Sequence, residues 1–293
     1  MQIVEKWMAV SLLCVLTTLA CAHSAEKDTT YWHRQGNSLF NLSQAAYSNW
    51  AAGGDNAIAF DVSFNYAAEY KRAKHLWQNR LELAYGMNFT RSSGSQKTND
   101  KIYLSSNYGY EIGHNWYLSA SVTFNTQFAN GYDYKTDSKV FLSQFMAPGY
   151  LSTGVGFTWT PRKWFTATLS PSSWRGTFVC NTLLSEQGAF GVEKGHRLFN
   201  EFGANFKFEF NCALLANMNL YSRIDLYSNY LRKPQNVDVR WDIQLTAKIN
   251  KWFATTLSVN MIYDDDVKVA TKNGRGSRLQ IKEVLGIGLQ ASF

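Results

Sequence analysis

Proline is nearly absent from this chain, with four among 293 residues. A sequence so poor in ladder-breaking residues suits long, uninterrupted elements. Cysteine is as scarce, also four, and two of these, Cys14 and Cys21, fall in the N-terminal apolar segment. The remaining pair, Cys180 and Cys212, is too few for a disulfide framework, and no Cys/His spacing suits zinc. Charged residues make up only 17% of the chain. The formal net charge is +7, but Lys and Arg are scattered, the densest group being Lys71, Arg72 and Lys74. A nucleic-acid-binding stripe is therefore missing, and the basic balance suits a surface facing anionic lipid or sugar. No amphipathic helix of useful length is found. Aromatic residues, by contrast, are abundant at 15%, which argues against disorder.

Lys6 precedes an apolar run, Met8 to Leu16, that is too short to span a bilayer and is followed by small residues. This pattern predicts a secretory signal peptide over residues 1–22, cleaved after Ala20-Cys21-Ala22. The alternative is a lipoprotein signal with Cys21 lipidated, but the Leu that such a signal prefers would fall at Thr18.

Beyond it, period-2 alternation dominates. In Ile58-Phe60-Val62-Phe64-Tyr66-Ala68-Tyr70 every second residue is apolar, while Asp61, Ser63, Asn65 and Glu69 lie between. The same pattern recurs at Leu81 to Phe89, Leu118 to Phe124, Phe202 to Phe210, Val237 to Ile249 and Leu285 to Phe293. It predicts twelve strands near residues 37–49, 56–70, 76–90, 101–112, 116–128, 150–159, 164–171, 197–210, 214–227, 237–249, 252–263 and 280–293. Short connections at 71–75, 113–115, 161–163, 211–213 and 250–251 alternate with longer polar ones such as 91–100, 129–149, 172–196 and 264–279. All four prolines fall in connections or at strand ends on this reading.

Strands in soluble sandwiches average about five or six residues, and several here are much longer. Their second face is rich in Gly, Ser, Asn and charge. An apolar exterior with a polar interior is the arrangement of an antiparallel transmembrane β-barrel, which leaves no unpaired edge in lipid. The expected organisation is a signal peptide (1–22), a periplasmic N-terminal segment (23–36) and the barrel (37–293). An even strand number puts both chain ends and every short turn in the periplasm. Trp77, Trp116, Trp164 and Trp252 lie by those turns, as in an interfacial aromatic girdle, although Trp164 and Trp252 fall on the inward parity. The terminal Phe293 is similar to the C-terminal signature that outer-membrane barrels present to their assembly machinery.

Seven segments carry a resemblance. They are Ser48-Asn49-Trp50-Ala51-Ala52-Gly53-Gly54, Thr126-Gln127-Phe128-Ala129-Asn130-Gly131-Tyr132, Phe145-Met146-Ala147-Pro148-Gly149-Tyr150, Leu169-Ser170-Pro171, Gly188-Ala189-Phe190-Gly191-Val192, Asn229-Tyr230-Leu231 with Pro234-Gln235-Asn236, and Ile262-Tyr263-Asp264-Asp265-Asp266. Over nearly the whole mature chain the sequence resembles a family of Bacteroidota outer-membrane β-barrels known only as a domain of unknown function. The resemblance implies the barrel fold and an outer-membrane location. It transfers no activity.

Chemistry is sparse. The outer-loop cluster Asp264, Asp265 and Asp266 offers carboxylates for Ca²⁺, but adjacent residues rarely point at one ion. A solvated or lipopolysaccharide-bridging rim is the expected role, with no metal and no cofactor. A turn at 211–213 would set His196 against Ser228 across the ladder, as in an outer-membrane hydrolase, but no orienting third group accompanies them. Gly154, Gly156, Gly286 and Gly288 alternate inside strands with no helix following, so they mark space or curvature rather than a phosphate loop.

The inward parity carries the rest: charges of both signs, with no single-sign ring. The same turn would place Glu201 opposite Arg223. The next outer connection would pair Arg223 with Asp242 and Asp225 with Arg240, a ladder of alternating sign in the outer half of the lumen. The expected function is a porin-like channel for small solutes, not an enzyme. A structural or partner-binding barrel in an envelope complex, and a hydrolase, are the alternatives. Expected partners are outer-membrane lipid, lipopolysaccharide and the barrel assembly machinery, without nucleic acid; the oligomeric state stays open.

Overall fold

The computed structural model describes residues 31–45, 56–133, 140–265, 269–271 and 274–293. The expected signal peptide and Asp266 lie outside these residues. In chain order the strands are β1 (Trp32–Ala45), β2 (Ala57–Arg72), β3 (His75–Thr90), β4 (Gly94–Gly113), β5 (Trp116–Thr126), β6 (Gly131–Asp133), β7 (Val140–Ser143), β8 (Gly149–Arg162) and β9 (Phe165–Phe178). A short helix, α1 (Thr182–Glu186), precedes β10 (Leu198–Leu215), β11 (Met218–Asn229), β12 (Val237–Lys248), β13 (Phe253–Tyr263), β14 (Val269–Thr271), β15 (Gly274–Gly276) and β16 (Gln280–Ser292). Twelve of them close an antiparallel barrel in the order β1-β16-β13-β12-β11-β10-β9-β8-β5-β4-β3-β2. The pairs β6–β7 and β14–β15 are small hairpins within long connections.

The barrel is inside out relative to a soluble protein. Val62, Leu104, Leu118, Val122, Val155, Leu169, Phe202, Phe206, Ile281 and Leu285 are all exposed on its outer face. Among the buried side chains are Glu82, Ser119, Thr158, Thr168, Ser170, Glu201 and Arg223. Water cannot be the solvent for such an exterior, whereas a bilayer can, and the closed ladder leaves no strand edge to lipid. The expected transmembrane barrel is thus the observed fold. Trp77, Trp116, Trp164 and Trp252 are all exposed at the end carrying the short turns. The ring closes where β1 meets β16. There the Gly36 amide donates to the Phe293 carbonyl at 2.7 Å and the Phe293 amide donates back at 3.0 Å. Asn41 on β1 occupies the space that Gly286 and Gly288 leave on β16.

Several boundaries differ from the alternation reading. Residues 32–36 belong to β1 rather than to an N-terminal segment, and pair with Tyr70 to Tyr66 of β2. Strand β4 begins at Gly94, so most of the expected loop 91–100 is ladder. Along Gly94 to Asp100 both faces are polar, and periodicity has nothing to report. Strand β9 continues through Pro171. The register shifts on both sides there, with Ser170 opposite Asn205 and Ser173 opposite Gly203, so a bulge accommodates the missing N–H. Pro161 likewise lies within β8 beside a register shift.

The most consequential difference is the β10–β11 turn. Strand β10 runs through residues 211–213 to Leu215, which pairs with Met218. The turn falls at Ala216-Asn217, where Asn217 donates its side-chain amide to the Lys248 carbonyl at 3.2 Å. Asn211 had mimicked turn chemistry from inside a strand. Cys212 is accordingly a strand residue, and both it and Cys180 are free thiols.

At the opposite end the long connections gather around a small apolar core of Ala147, Val179, Leu184 and Val192, with Phe141, Phe190 and Phe199 against it. Asn181 caps α1 by accepting from the Leu184 amide at 3.0 Å.

Candidate functional site

Strands β3 and β11 lie six positions apart in either direction around the ring, so their inward side chains face each other across the lumen. Glu82 on β3 and Arg223 on β11 meet there. The guanidinium donates Nη1 to Glu82 Oε1 at 2.8 Å and Nη2 to Oε2 at 3.3 Å. Such a forked pair fixes both partners more tightly than a single contact would. Arg223 also pairs with Asp242. Lys101 donates to Glu82 at 2.6 Å and lies 3.8 Å from Asp242. Arg80, below, bridges to Glu209 on β10 at 3.3 Å. The Arg223 guanidinium sits 4.1 Å from the Tyr103 ring centroid, and that of Arg80 sits 4.6 Å from Tyr221. These rings exclude water while offering their negative faces to the cations. Glu82 and Arg223 are 7% and 4% exposed, so a polar bridge crosses the barrel at mid-height.

A second layer lies toward the long loops. Arg175 on β9 donates to Glu201 on β10 at 2.7 and 2.8 Å and pairs with Asp238 on β12. Asn229 donates to Glu201 at 3.1 Å, and the Tyr227 ring lies 4.0 Å from the Arg175 guanidinium. On another wall Asp61 accepts from Asn99 at 2.8 Å, and Lys282 donates to the Asn99 side-chain oxygen. Between β5, β8 and β9 the wall is small and hydroxylated: Thr158 donates to Ser119 at 2.8 Å and lies 3.0 Å from Thr168.

The expected ladder is partly redrawn. Arg223 stands opposite Asp242, and Asp225 opposite Arg240. Asp225, however, accepts from Asn205 at 2.6 Å, while Arg240 stacks 4.6 Å from the Tyr150 ring. Glu201 does not oppose Arg223. Because the turn is four residues later than the spacing suggested, Glu209 takes that place, and Glu201 opposes Arg175. Arg175 escaped the sequence reading because it follows Pro171. The alternation Ser173-Arg175-Thr177 against Trp174 and Phe178 was its signal. The Glu82–Arg223 contact had no signal, since 141 positions separate the two.

His196 and Ser228 are not a pair either. Ser228 stands opposite Ala204 and donates to the Pro234 carbonyl at 2.7 Å, while the His196 backbone carbonyl accepts from Ser185 at 2.6 Å. Of the acidic loop cluster, Asp265 accepts from Asn236 at 2.8 Å and from Ser277 at 2.9 Å, and lies 3.9 Å from Lys233. It ties loops together, and Asp264 is half-buried beside it.

Two cavities occupy the lumen. The first, about 440 Å³, lies along β1, β2, β13 and β16 and reaches Asp61, Glu82, Asp242 and Lys282. The second, about 450 Å³, lies along β2 to β4, β9 and β10 and reaches Lys207 and Glu209. Gln35, Ala67, Arg80 and Asn211 line both. The arrangement is a vestibule of two lobes that meets an ion-paired constriction.

A family described as a protein of unknown function (DUF3078) matches residues 42–132, a minority of the chain. No match was found among curated protein sequences. Among solved structures, the chain is similar to the COG4313 outer membrane channel from Pseudomonas putida F1, at 10% identity and a TM-score of 0.39, over 92% of this chain and 100% of that one. It is similar to the NanC porin at 8% identity and 0.39, over 87% and 98%. It is similar also to the translocator domain of autotransporter NalP from Neisseria meningitidis at 9% identity and 0.36, over 99% and 98%. None is close enough to transfer an activity.

Proposed function

We propose that this protein is a non-catalytic outer-membrane channel for small polar solutes, narrowed at mid-height by the Glu82–Arg223–Asp242–Lys101 bridge. The observation that carries this reading is the polar lumen itself, in which two cavities of about 440 and 450 Å³ converge on charged groups of both signs. A lumen meant only to be filled would be packed with side chains, as in the smallest barrels. The short-turn end faces the periplasm, following the loop asymmetry of such barrels. Outer-membrane lipid and lipopolysaccharide surround the belt, and the barrel assembly machinery inserts it.

Planar-bilayer recording tests the reading. The purified barrel should give small, discrete conductance steps. Silence from barrels that insert correctly would overturn it in favour of a closed, structural or partner-binding barrel. The forked Glu82–Arg223 contact across the lumen and the apolar core of the outer loops favour that second reading. Orientation has its own test. A membrane-impermeant maleimide added to intact cells should label Cys180, which is exposed in a long connection, and spare Cys212, with Cys180→Ser as control. Labelling of Cys212 alone would invert the topology.

A further inference from the structure

The two lobes of the vestibule differ in charge. The cations that face the β9–β10 lobe are Lys71, Arg80, Lys163 and Lys207, against only Glu69 and Glu209. Both carboxylates are already engaged. Glu209 pairs with Arg80 at 3.3 Å, and Glu69 accepts from the Gln78 side chain at 2.9 Å. The Lys71 ammonium stands 6.0 Å from the ring centroid of the buried Tyr117, which turns it toward the lumen. Lys207 is half-buried on β10, between Thr168 and Asp225. Among the described residues neither Lys207 nor Lys163 has a carboxylate oxygen within 4.0 Å. Cations in a confined cavity with low-dielectric walls focus their field on whatever enters.

We infer that this lobe is a binding site for a small organic oxyanion, a solute carrying a phosphate or carboxylate group. Lys207 and Lys163 neutralise the oxyanion. The volume of about 450 Å³ suits a small molecule, since ligand pockets run from about 300 to 1,000 Å³. The inference names a solute class for the channel proposed above and rests on that reading for transport. Binding alone does not require conduction.

Calorimetry on the full barrel in an uncharged detergent tests it, with glycerol 3-phosphate and citrate as probes and glycerol as the neutral comparison. At least one probe should bind, glycerol should not, and the probe that binds identifies the oxyanion. Lys207→Gln and Lys163→Gln should each weaken binding about tenfold, the worth of one charge-assisted hydrogen bond. Both variants should keep the heat-dependent gel shift of a folded barrel. Lys163 lies in a turn, so its variant reports even if Lys207→Gln fails to fold. Absence of binding by either probe, or affinity unchanged in the variants, overturns the site. Binding without conductance keeps the site and removes the channel; conductance without binding does the reverse.

Discussion

Replacing Arg223 by alanine is expected to open the constriction and weaken the barrel together. The side chain is 5% exposed and is shared between Glu82 and Asp242. Its removal leaves two carboxylates in a dehydrated layer with only part of their compensation. Breaking a buried pair from one side costs about 3 to 5 kcal/mol. Glu82 keeps Lys101 at 2.6 Å, so the lower figure, about 3 kcal/mol, is expected. The gel-shift temperature should fall, unit conductance should rise several-fold, and the reversal potential in a salt gradient should move toward cations. Glu82→Gln removes the opposite charge from the same contact. It should also raise conductance but move selectivity toward anions. Equal shifts in both variants, or an Arg223→Ala barrel with unchanged conductance and stability, would mean that the bridge neither narrows the lumen nor supports it.

Gly203→Ala should abolish the folded barrel. A Cβ at Gly203 would lie 1.9 Å from the Ser228 carbonyl oxygen and 2.9 Å from its carbonyl carbon. These are backbone atoms of the paired strand and cannot turn aside as a side chain would. The position sits at the register shift between β9 and β10, facing the Pro171 bulge, where the chain comes closer to its neighbour than an ordinary ladder allows. Relief would require opening the β10–β11 ladder, so the cost should reach or exceed the ~3 kcal/mol upper range of overpacking. The measurement is refolding into detergent or vesicles followed by the gel shift. A normal yield of shifted barrel would show that the bulge can relax without loss of closure.

Much of the barrel was legible because lipid imposes a simple code. A strand crossing a bilayer must show apolar residues outward at every second position, and the backbone repeat of two makes that visible in Ile58 to Tyr70 or Val237 to Ala247. Local proximity was legible too. The outer connection between β11 and β12 left the register open, and once Arg223 was set against Asp242 the same register brought Asp225 to Arg240, as the ladder has it. Legibility stopped where the code stops. The β4 extension from Gly94 is polar on both faces, and Pro171 hid the alternation that follows it in β9, so Arg175 was read as loop.

Asn211 carried turn chemistry, and only the ladder itself moved the turn to Ala216-Asn217. That choice moved Glu201 away from Arg223 and brought Glu209 beside it. Alone, then, the sequence determined that the chain is a barrel, how many strands close it and, within the alternating segments, which side chains point inward, because these follow from solvent polarity acting on a repeat of two. Which inward charges meet was decided by tertiary structure. Glu82 and Arg223 touch because ring closure sets β3 opposite β11, and a contact across a lumen leaves no trace in the local pattern of either strand.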